Sequence, residues 1–136
     1  MLVLDSGALF SLQVRDDPDH DRCAAAVAEE PGPFVLPTLV VAEVGFLLSR
    51  KVGARAELRF VREVVEGRYQ LDHPTQGDLE RAAELLDTYA DLELGVTDAT
   101  VMACAERRGC RRVLSLDRRD FLAVRPRGFA AFELLP

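Results

Sequence analysis

A chain of 136 residues, 49% of them hydrophobic and 29% charged, has the size and composition of one folded domain rather than of a disordered segment. No apolar run approaches the roughly 20 residues that a membrane-spanning helix needs, and the first residues lack the basic flank of a secretory signal. The net charge of −6 argues, taken alone, against a nucleic-acid partner. We therefore expect a single domain over residues 1–136, without a membrane partner and located in the cytoplasm.

Short apolar runs alternate with helical patterns from the first residue onward. The predicted strands of the first half cover residues 2–4, 34–36 and 69–72. The helices predicted around them cover residues 8–14, about 17–30, 38–51 and 54–66.

The second half continues the same alternation. One helix is predicted from Thr75 or Asp78 to about residue 89, and the next from Thr97 or Asp98 to residue 109. A strand over 113–116, a short helix after residue 120 and a weaker strand over 129–134 complete the pattern. Strands that alternate with helices predict an α/β domain whose parallel sheet is covered on both faces.

The cysteines and histidines do not indicate a disulfide, a metal site or a catalytic triad. The three cysteines, Cys23, Cys104 and Cys110, are odd in number and widely spaced, which argues against a disulfide framework and a zinc site. His20 and His73 are the only histidines, and each lies in a polar, loop-like segment. We therefore expect no histidine-based metal site or catalytic triad.

Four acidic residues stand where solvation alone does not explain them. Asp5 and Asp117 each follow a predicted buried strand, and the carboxyl ends of parallel strands face the ligand crevice. Glu43 lies in the apolar stripe of a helix, because Leu39, Val40, Phe46 and Leu47 are its neighbours three and four residues away. An unpaired buried charge is normally paired, protonated or bound to metal.

Asp98 opens the helix that contains Val101 and Met102. It suits a helix cap, but Thr97 could cap this helix equally well and leave Asp98 free to point into a site. Turn or capping roles remain open for Asp5 and Asp117 as well. Ser6, next to Asp5, could orient a ligand or water.

Carboxylates that converge on one crevice repel each other, and a divalent cation removes this conflict. Oxygen-only ligands suit Mg²⁺ or Mn²⁺ rather than zinc. Such an ion can activate a water for phosphodiester hydrolysis. The arginines of residues 98–136, eight against five acidic residues, could form a basic patch for phosphates or only a solvated face.

The chain resembles the PIN-domain family, specifically VapC-type toxins of bacterial toxin–antitoxin pairs. The resemblance covers nearly the whole length and is carried by LVLDSGAL, PTLVVAEVGFLLSRKVG, LGVTDATVMACAERRG and VLSLDRRDF, which surround the four acids in order. It implies a three-layer α/β/α fold with a parallel sheet of four to five strands in the order 3-2-1-4-5. That order would set the strands before Asp5 and Asp117 side by side, about 5 Å apart.

By the same resemblance, Asp5, Glu43 and Asp98 match the core acids and Asp117 the fourth, while Ser6 matches the hydroxyl after the first. Asp120 belongs to the last motif as a helix-starting residue that could touch metal or water. The resemblance further implies an Mg²⁺- or Mn²⁺-dependent endoribonuclease toxin, an RNA substrate, a homodimer and inhibition by a small VapB-like antitoxin. The antitoxin would lie over an apolar groove, to which residues 40–48 could contribute if they are not core.

Three rival functions remain open from the sequence. A non-catalytic PIN-like binding module would be favoured by the loss of a core acid, and none is missing. A receiver-like phosphoacceptor domain would need a lysine after a late strand, but the only lysine is Lys51, on a predicted helix. A structure-specific DNA nuclease would use the same metal chemistry as a ribonuclease, so that only a substrate test separates the two.

Overall fold

A parallel five-stranded sheet forms the centre of the computed structural model, which describes residues 1–136. Its strands are β1 (Leu2–Leu4), β2 (Phe34–Pro37), β3 (Gln70–Asp72), β4 (Arg112–Leu114) and β5 (Glu133–Leu135). Their order in the sheet is β3-β2-β1-β4-β5, and all four neighbouring pairs are parallel. The predicted fold class and strand order are thus confirmed.

Seven α-helices connect the strands. They are α1 (Ser6–Gln13), α2 (His20–Ala28), α3 (Thr38–Lys51), α4 (Ala54–Val65), α5 (Gln76–Thr88), α6 (Val96–Arg107) and α7 (Arg118–Ala123), with a 3-10 turn over Ala90–Leu92 before α6. The chain crosses the sheet in one direction from β1 to β3 and in the other from β3 to β5. Because such crossovers are right-handed, α1 to α4 cover one face of the sheet and α5 to α7 the other.

The strands are short, apolar and buried, as expected of a sheet with helices on both faces. All three residues of β1 are buried, and Val3 is flanked by Val35 of β2 and Val113 of β4. The ladder extends one step beyond the strand, since the amide of Asp5 donates to the carbonyl oxygen of Leu114 at 3.0 Å. The end of β1 is therefore tied to the end of β4.

Several predicted boundaries need correction. Helix α1 starts at Ser6 rather than at residue 8 because the carboxylate of Asp5 caps it. Helix α2 starts only at His20, after the turn that contains Pro18, and it ends at Ala28. Strand β5 is shorter than the predicted 129–134 and lies later in the chain, over Glu133–Leu135.

An aromatic cluster explains the shift of β5. The rings of Phe129 and Phe121 each pack edge to face against Phe132, with centroid distances of 5.3 Å. These side chains fill space around α7 instead of alternating across a sheet. Strand pairing begins only after the cluster ends.

The cysteines and His73 lie in the kinds of position that the sequence predicts, whereas His20 belongs to a helix rather than to a loop. All three cysteines are free and buried, so Cys104 is the small buried hydrophobe that its helical context predicts. His20 starts α2, with its Nδ1 2.9 Å from the carbonyl oxygen of Ser11, and His73 is exposed. None of the helices is both long and apolar enough to cross a membrane.

Candidate active site

Asp5 follows β1 and is fixed through both carboxylate oxygens. Its Oδ1 accepts the backbone N–H of Ser6 at 2.8 Å, and its Oδ2 accepts the hydroxyl of Ser115 at 2.6 Å. The residue is only 3% exposed. A buried carboxylate with two donors is held in one orientation, and this orientation is set by the start of α1 and the end of β4.

Asp117 follows β4 and caps α7. Its Oδ1 accepts the backbone N–H of Asp120 at 3.0 Å, and its own N–H donates to the hydroxyl oxygen of Ser115 at 3.0 Å. Ser115 therefore joins Asp5 to Asp117. Sequence reasoning missed this serine, although its position at the end of a buried strand, two residues before an acid, could have indicated it.

Asp98 is the third residue of α6, not its N-cap. Gly95 is the N-cap, and its backbone N–H donates to Oδ2 of Asp98 at 3.1 Å. A Cβ at residue 95 would lie 3.1 Å from this same oxygen, so glycine leaves room for the carboxylate. The prediction that Thr97 or Asp98 caps the helix is thus wrong, because the extended backbone of Gly95 already ends the preceding loop.

Thr97 takes no visible part in the acidic cluster. Its carbonyl oxygen accepts the hydroxyl of Thr100 at 2.8 Å, which is a bond within α6, and its own hydroxyl makes no hydrogen bond. The supporting role predicted for Thr97 gains nothing from these contacts.

Glu43 projects from the middle of α3 and makes no ion pair. Its Oε2 is buried and has no hydrogen-bond partner within the protein. No arginine neutralises Glu43 in this structure. An orphaned buried carboxylate oxygen is unfavourable unless a proton or a cation completes it.

The charges of the four acids act on one another. Burial raises the pKa of Asp5 to about 7, helped by the charges of Asp98 and Glu43 and opposed by the hydrogen bonds from Ser115 and Ser6. Burial also raises the pKa of Asp98, and the charges of Glu43, Asp117 and Asp120 add to this effect. Mutual repulsion of this kind arises only between groups that lie close together.

A cavity of about 410 Å³ opens among these residues. It is lined by Asp5, Ser6, Gly7, Asp98, Leu116 and Asp117. Ser6 is buried, and its backbone N–H supports Asp5, as described above. The predicted meeting of strand-end carboxylates is thus present at the switch point between β1 and β4, where the chain reverses its direction of crossing.

A second cavity of similar size, about 430 Å³, lies between α1, α2 and α4. Apolar side chains such as Leu12, Val27 and Phe34 line much of it, and Glu63 is its single acidic residue. Size alone does not separate the two cavities. The convergence of carboxylates does, because perturbed acids in a cleft mark functional sites more reliably than volume does.

Asp120 is buried and belongs to the first turn of α7, as expected for a helix-starting residue. Its Oδ1 accepts Nε of Arg119 at 2.7 Å. The carboxylate therefore has a counter-charge of its own, unlike Glu43, although its charge still reaches Asp98.

The arginines of the carboxyl-terminal third do not form the free basic patch considered from the sequence. Six of the eight pair with carboxylates, namely Arg107, Arg108, Arg111, Arg112, Arg119 and Arg127. Arg118 and Arg125 have no ion pair. The partners come from distant segments, such as Asp72 and Glu30, so the pairing could not be read from local sequence.

Residues 2–125 match the family model described as PIN domain. The chain belongs to the PIN-domain family. Ribonuclease VapC26 of Mycobacterium tuberculosis (strain ATCC 25618 / H37Rv) is 33% identical over 135 residues, which are 99% of this chain and 100% of that protein. The predicted resemblance to VapC-type members of the PIN-domain family is thereby confirmed.

Solved structures agree with this PIN-domain fold. M. tuberculosis VapC20, described as a sarcin-ricin loop cleaving toxin, superposes with a TM-score of 0.85 at 22% identity over 96% of this chain and 99% of that one. A toxin–antitoxin complex from Klebsiella pneumoniae gives 0.71 at 18% identity, covering 99% and 100%. FitAcB from Neisseria gonorrhoeae gives 0.69 at 14%, covering 90% and 92%. At these identities the likeness establishes the fold alone.

The acids of this PIN domain fit a hard divalent cation by their chemistry. The donors are all carboxylate oxygens, which Mg²⁺ and Mn²⁺ prefer, and the orphaned Oε2 of Glu43 lacks a partner that such an ion would supply. As the side chains stand, no group of three or more encloses a position for an ion. Binding would therefore require their carboxylates to turn toward one another.

Proposed function

We propose that this PIN domain is an Mg²⁺- or Mn²⁺-dependent endoribonuclease and the toxin of a toxin–antitoxin pair. The observation that carries the proposal is that Asp5, Asp98 and Asp117 line one crevice, with Glu43 close enough for its charge to raise the pKa of Asp5 and of Asp98. The chain is also one-third identical to a protein named as a ribonuclease.

The four acids would hold the cation, with Glu43 contributing its unpartnered oxygen. A bound cation lowers the pKa of a coordinated water and stabilises charge that develops on a phosphoryl group. The chain's own contribution is orientation, since Ser115 fixes Asp5 and the end of β4 together. Four carboxylates repel RNA phosphates, so RNA can enter the crevice only when their charge is compensated.

The partner proteins belong to the same proposal. The Klebsiella pneumoniae neighbour is described as a toxin–antitoxin complex, which supports an antitoxin as the partner of this chain. Within residues 40–48, Val40, Val44, Gly45 and Leu48 are buried and cannot line its groove, whereas Phe46 is exposed. The cavity between α1, α2 and α4, which both apolar and charged side chains line, is the better candidate for binding an antitoxin segment. A homodimer and a cytoplasmic location remain parts of this proposal.

The decisive experiment incubates the purified protein with single-stranded and structured RNA, and with DNA of the same sequence, in Mn²⁺, Mg²⁺ or EDTA. We expect RNA cleavage that EDTA stops and that Asp5→Asn or Asp98→Asn abolishes. Asp87→Asn makes the same chemical change at an exposed carboxylate of α5 and should leave cleavage unchanged.

Three outcomes would overturn this assignment. Equal activity of the Asp5 and Asp98 variants would remove the catalytic role from the crevice. Cleavage of DNA in preference to RNA would favour the DNA nuclease. Binding of RNA or of a partner without any cleavage would favour the non-catalytic module. Titration with the antitoxin encoded beside the gene should silence the enzyme if the toxin assignment holds.

A further inference from the structure

RNA must approach a crevice of carboxylates on a chain whose net charge is −6. A cation at the rim would lower this barrier, since phosphate contacts supply most of the non-specific affinity of nucleic-acid-binding proteins. The position of each arginine in the carboxyl-terminal third therefore decides which of them RNA could meet first.

Most of these arginines lie away from the crevice. Arg111 and Arg112 stand at the amino end of β4, whereas the acids stand at its carboxyl end. Arg107 ends α6, about 14 Å along the helix axis from Asp98, and Arg108 is the C-cap one residue farther on. Arg125 and Arg127 follow the carboxyl end of α7, whose amino end borders the crevice.

Arg118 and Arg119 remain, in the first turn of α7 directly after Asp117. Only Arg119 is anchored. Its Nε donates to Oδ1 of Asp120 at 2.7 Å, and its Nη2 donates to the carbonyl oxygen of Leu92 at 2.9 Å. The guanidinium thus links the first turn of α7, which Asp117 caps, to the 3-10 turn that precedes α6, the helix that carries Asp98.

Two anchors leave part of this guanidinium free. Arg119 has a side chain that is 71% exposed, and its Nη1 makes no hydrogen bond within the protein. A guanidinium presents five N–H donors in a rigid fork, so the anchors orient the remaining donors toward solvent. Because the Arg119 side chain is already ordered, the binding of a ligand costs less side-chain conformational entropy at Arg119 than at Arg118.

We propose that Arg119 is a substrate-binding residue whose anchored guanidinium contacts a phosphate of the RNA strand at the rim of the acidic crevice. The contact would be a charge-assisted hydrogen bond from Nη1 to a non-bridging phosphate oxygen. It would hold the strand against α7 while the scissile phosphate reaches the acids. This inference rests on the proposed ribonuclease function.

The test compares Arg119→Gln, Arg119→Lys and Arg118→Gln with the wild-type protein, measuring kcat and KM on a single-stranded RNA over a series of KCl concentrations. For Arg119→Gln we expect KM to rise about tenfold with little change in kcat, the size of one lost charge-assisted contact. The slope of log kcat/KM against log salt should become shallower by about 0.7, the value of one phosphate contact on a single strand.

The two companion variants separate binding from structure. Arg119→Lys keeps the charge and should retain the salt slope, while Arg118→Gln should change KM less than twofold because its side chain has no anchor. A merely structural role predicts that Arg119→Lys and Arg119→Gln lower the melting temperature alike and leave the salt slope intact, and that result would overturn the inference.

The failure of this inference can be told apart from that of the proposed function. Wild-type protein that neither cleaves nor binds RNA would refute both. Wild-type protein that cleaves RNA, together with Arg119→Gln kinetics equal to those of Arg118→Gln, would refute the role of Arg119 alone.

Discussion

The hydroxyl of Ser115 donates a 2.6 Å hydrogen bond to Oδ2 of Asp5, although 110 positions separate the two residues along the chain. The same hydroxyl oxygen accepts the backbone N–H of Asp117 at 3.0 Å. Strands β1 and β4 are neighbours only because the chain reverses direction in the sheet. One serine thereby fixes the relative position of two acids that come from opposite ends of the sequence.

Replacement of this serine should affect both stability and cleavage. Ser115→Ala leaves Oδ2 of Asp5 and the amide of Asp117 without their buried partner, which costs about 1–3 kcal/mol, and kcat should fall as the acids lose their alignment. Chemical denaturation and single-turnover cleavage measure the two effects. The control is Ser11→Ala, a buried serine whose hydroxyl donates only to the carbonyl of Gly7 within its own helix. Cleavage at the wild-type rate in Ser115→Ala would refute the alignment role.

Asp5 should destabilise the metal-free protein at neutral pH. Its pKa is about 7 in the folded state and 3.8 in the reference state, so folded protein keeps a proton that unfolded protein has released. The stabilisation of the folded state by this proton is fully present below about pH 4. It is lost as the pH rises through 7, and the loss is at most about 4 kcal/mol.

Asp5→Asn removes this titration while an amide can still accept from Ser6 and donate to Ser115. In EDTA the variant should therefore melt at a higher temperature than wild type at pH 8, and the difference should shrink toward pH 5. The chain contains no tryptophan, so circular dichroism or calorimetry is the suitable measurement. A difference that does not change with pH would contradict the explanation.

Substitution of Glu43 tests directly whether this residue binds the cation. Mn²⁺ is expected to raise the melting temperature of wild-type protein, since a ligand that binds only the folded state stabilises it. Glu43→Gln should abolish cleavage and weaken this Mn²⁺-dependent rise by removing a negatively charged donor. Glu57→Gln is the matched control, because Glu57 packs against Gly45 of the same helix from α4 but lies outside the crevice. An unchanged Mn²⁺ response in Glu43→Gln would exclude Glu43 as a ligand.

The end of α6 is held by a separate ion-pair network. Arg107 bridges Asp72 and Asp78, two buried carboxylates on β3 and α5, and Asp78 also completes the capping box of α5 with Thr75. Arg107→Ala should lower the free energy of unfolding by about 1–3 kcal/mol, because buried Asp78 loses its arginine whereas Asp72 keeps Arg108. Arg111→Ala removes an exposed pair with Glu133 and should change it by less than about 1 kcal/mol. Equal losses in urea denaturation would contradict this ranking.

Local sequence signals predicted the helices and strands well wherever those signals are complete. Helix α3 occupies Thr38–Lys51, the predicted range, because a proline precedes it and Gly53 follows it. Glu43 could be singled out because its apolar neighbours lie within one helical turn. The resemblance to PIN domains added the strand order, which local patterns do not contain.

Long-range contacts explain what the sequence did not predict. The link from Ser115 to Asp5 exists only after β4 docks beside β1. The pairing of Arg112 with Glu30 joins residues 82 positions apart, so charge counting alone could not tell free arginines from paired ones. The cap of α6 at Gly95 depends on backbone geometry that neither Thr97 nor Asp98 reveals.

The two carboxylate oxygens of Asp98 have different roles. Oδ2 accepts the N–H of Gly95 at the start of α6, whereas Oδ1 makes no hydrogen bond within the protein, and the residue lines the crevice. An asparagine could keep the hydrogen bond from Gly95 without the negative charge, but alanine or leucine would lose both the hydrogen bond and the charge. The side chain at position 98 therefore serves both the fold and the chemistry of the site. An inactive but well-folded variant of this protein would carry an amide at this position rather than an apolar residue.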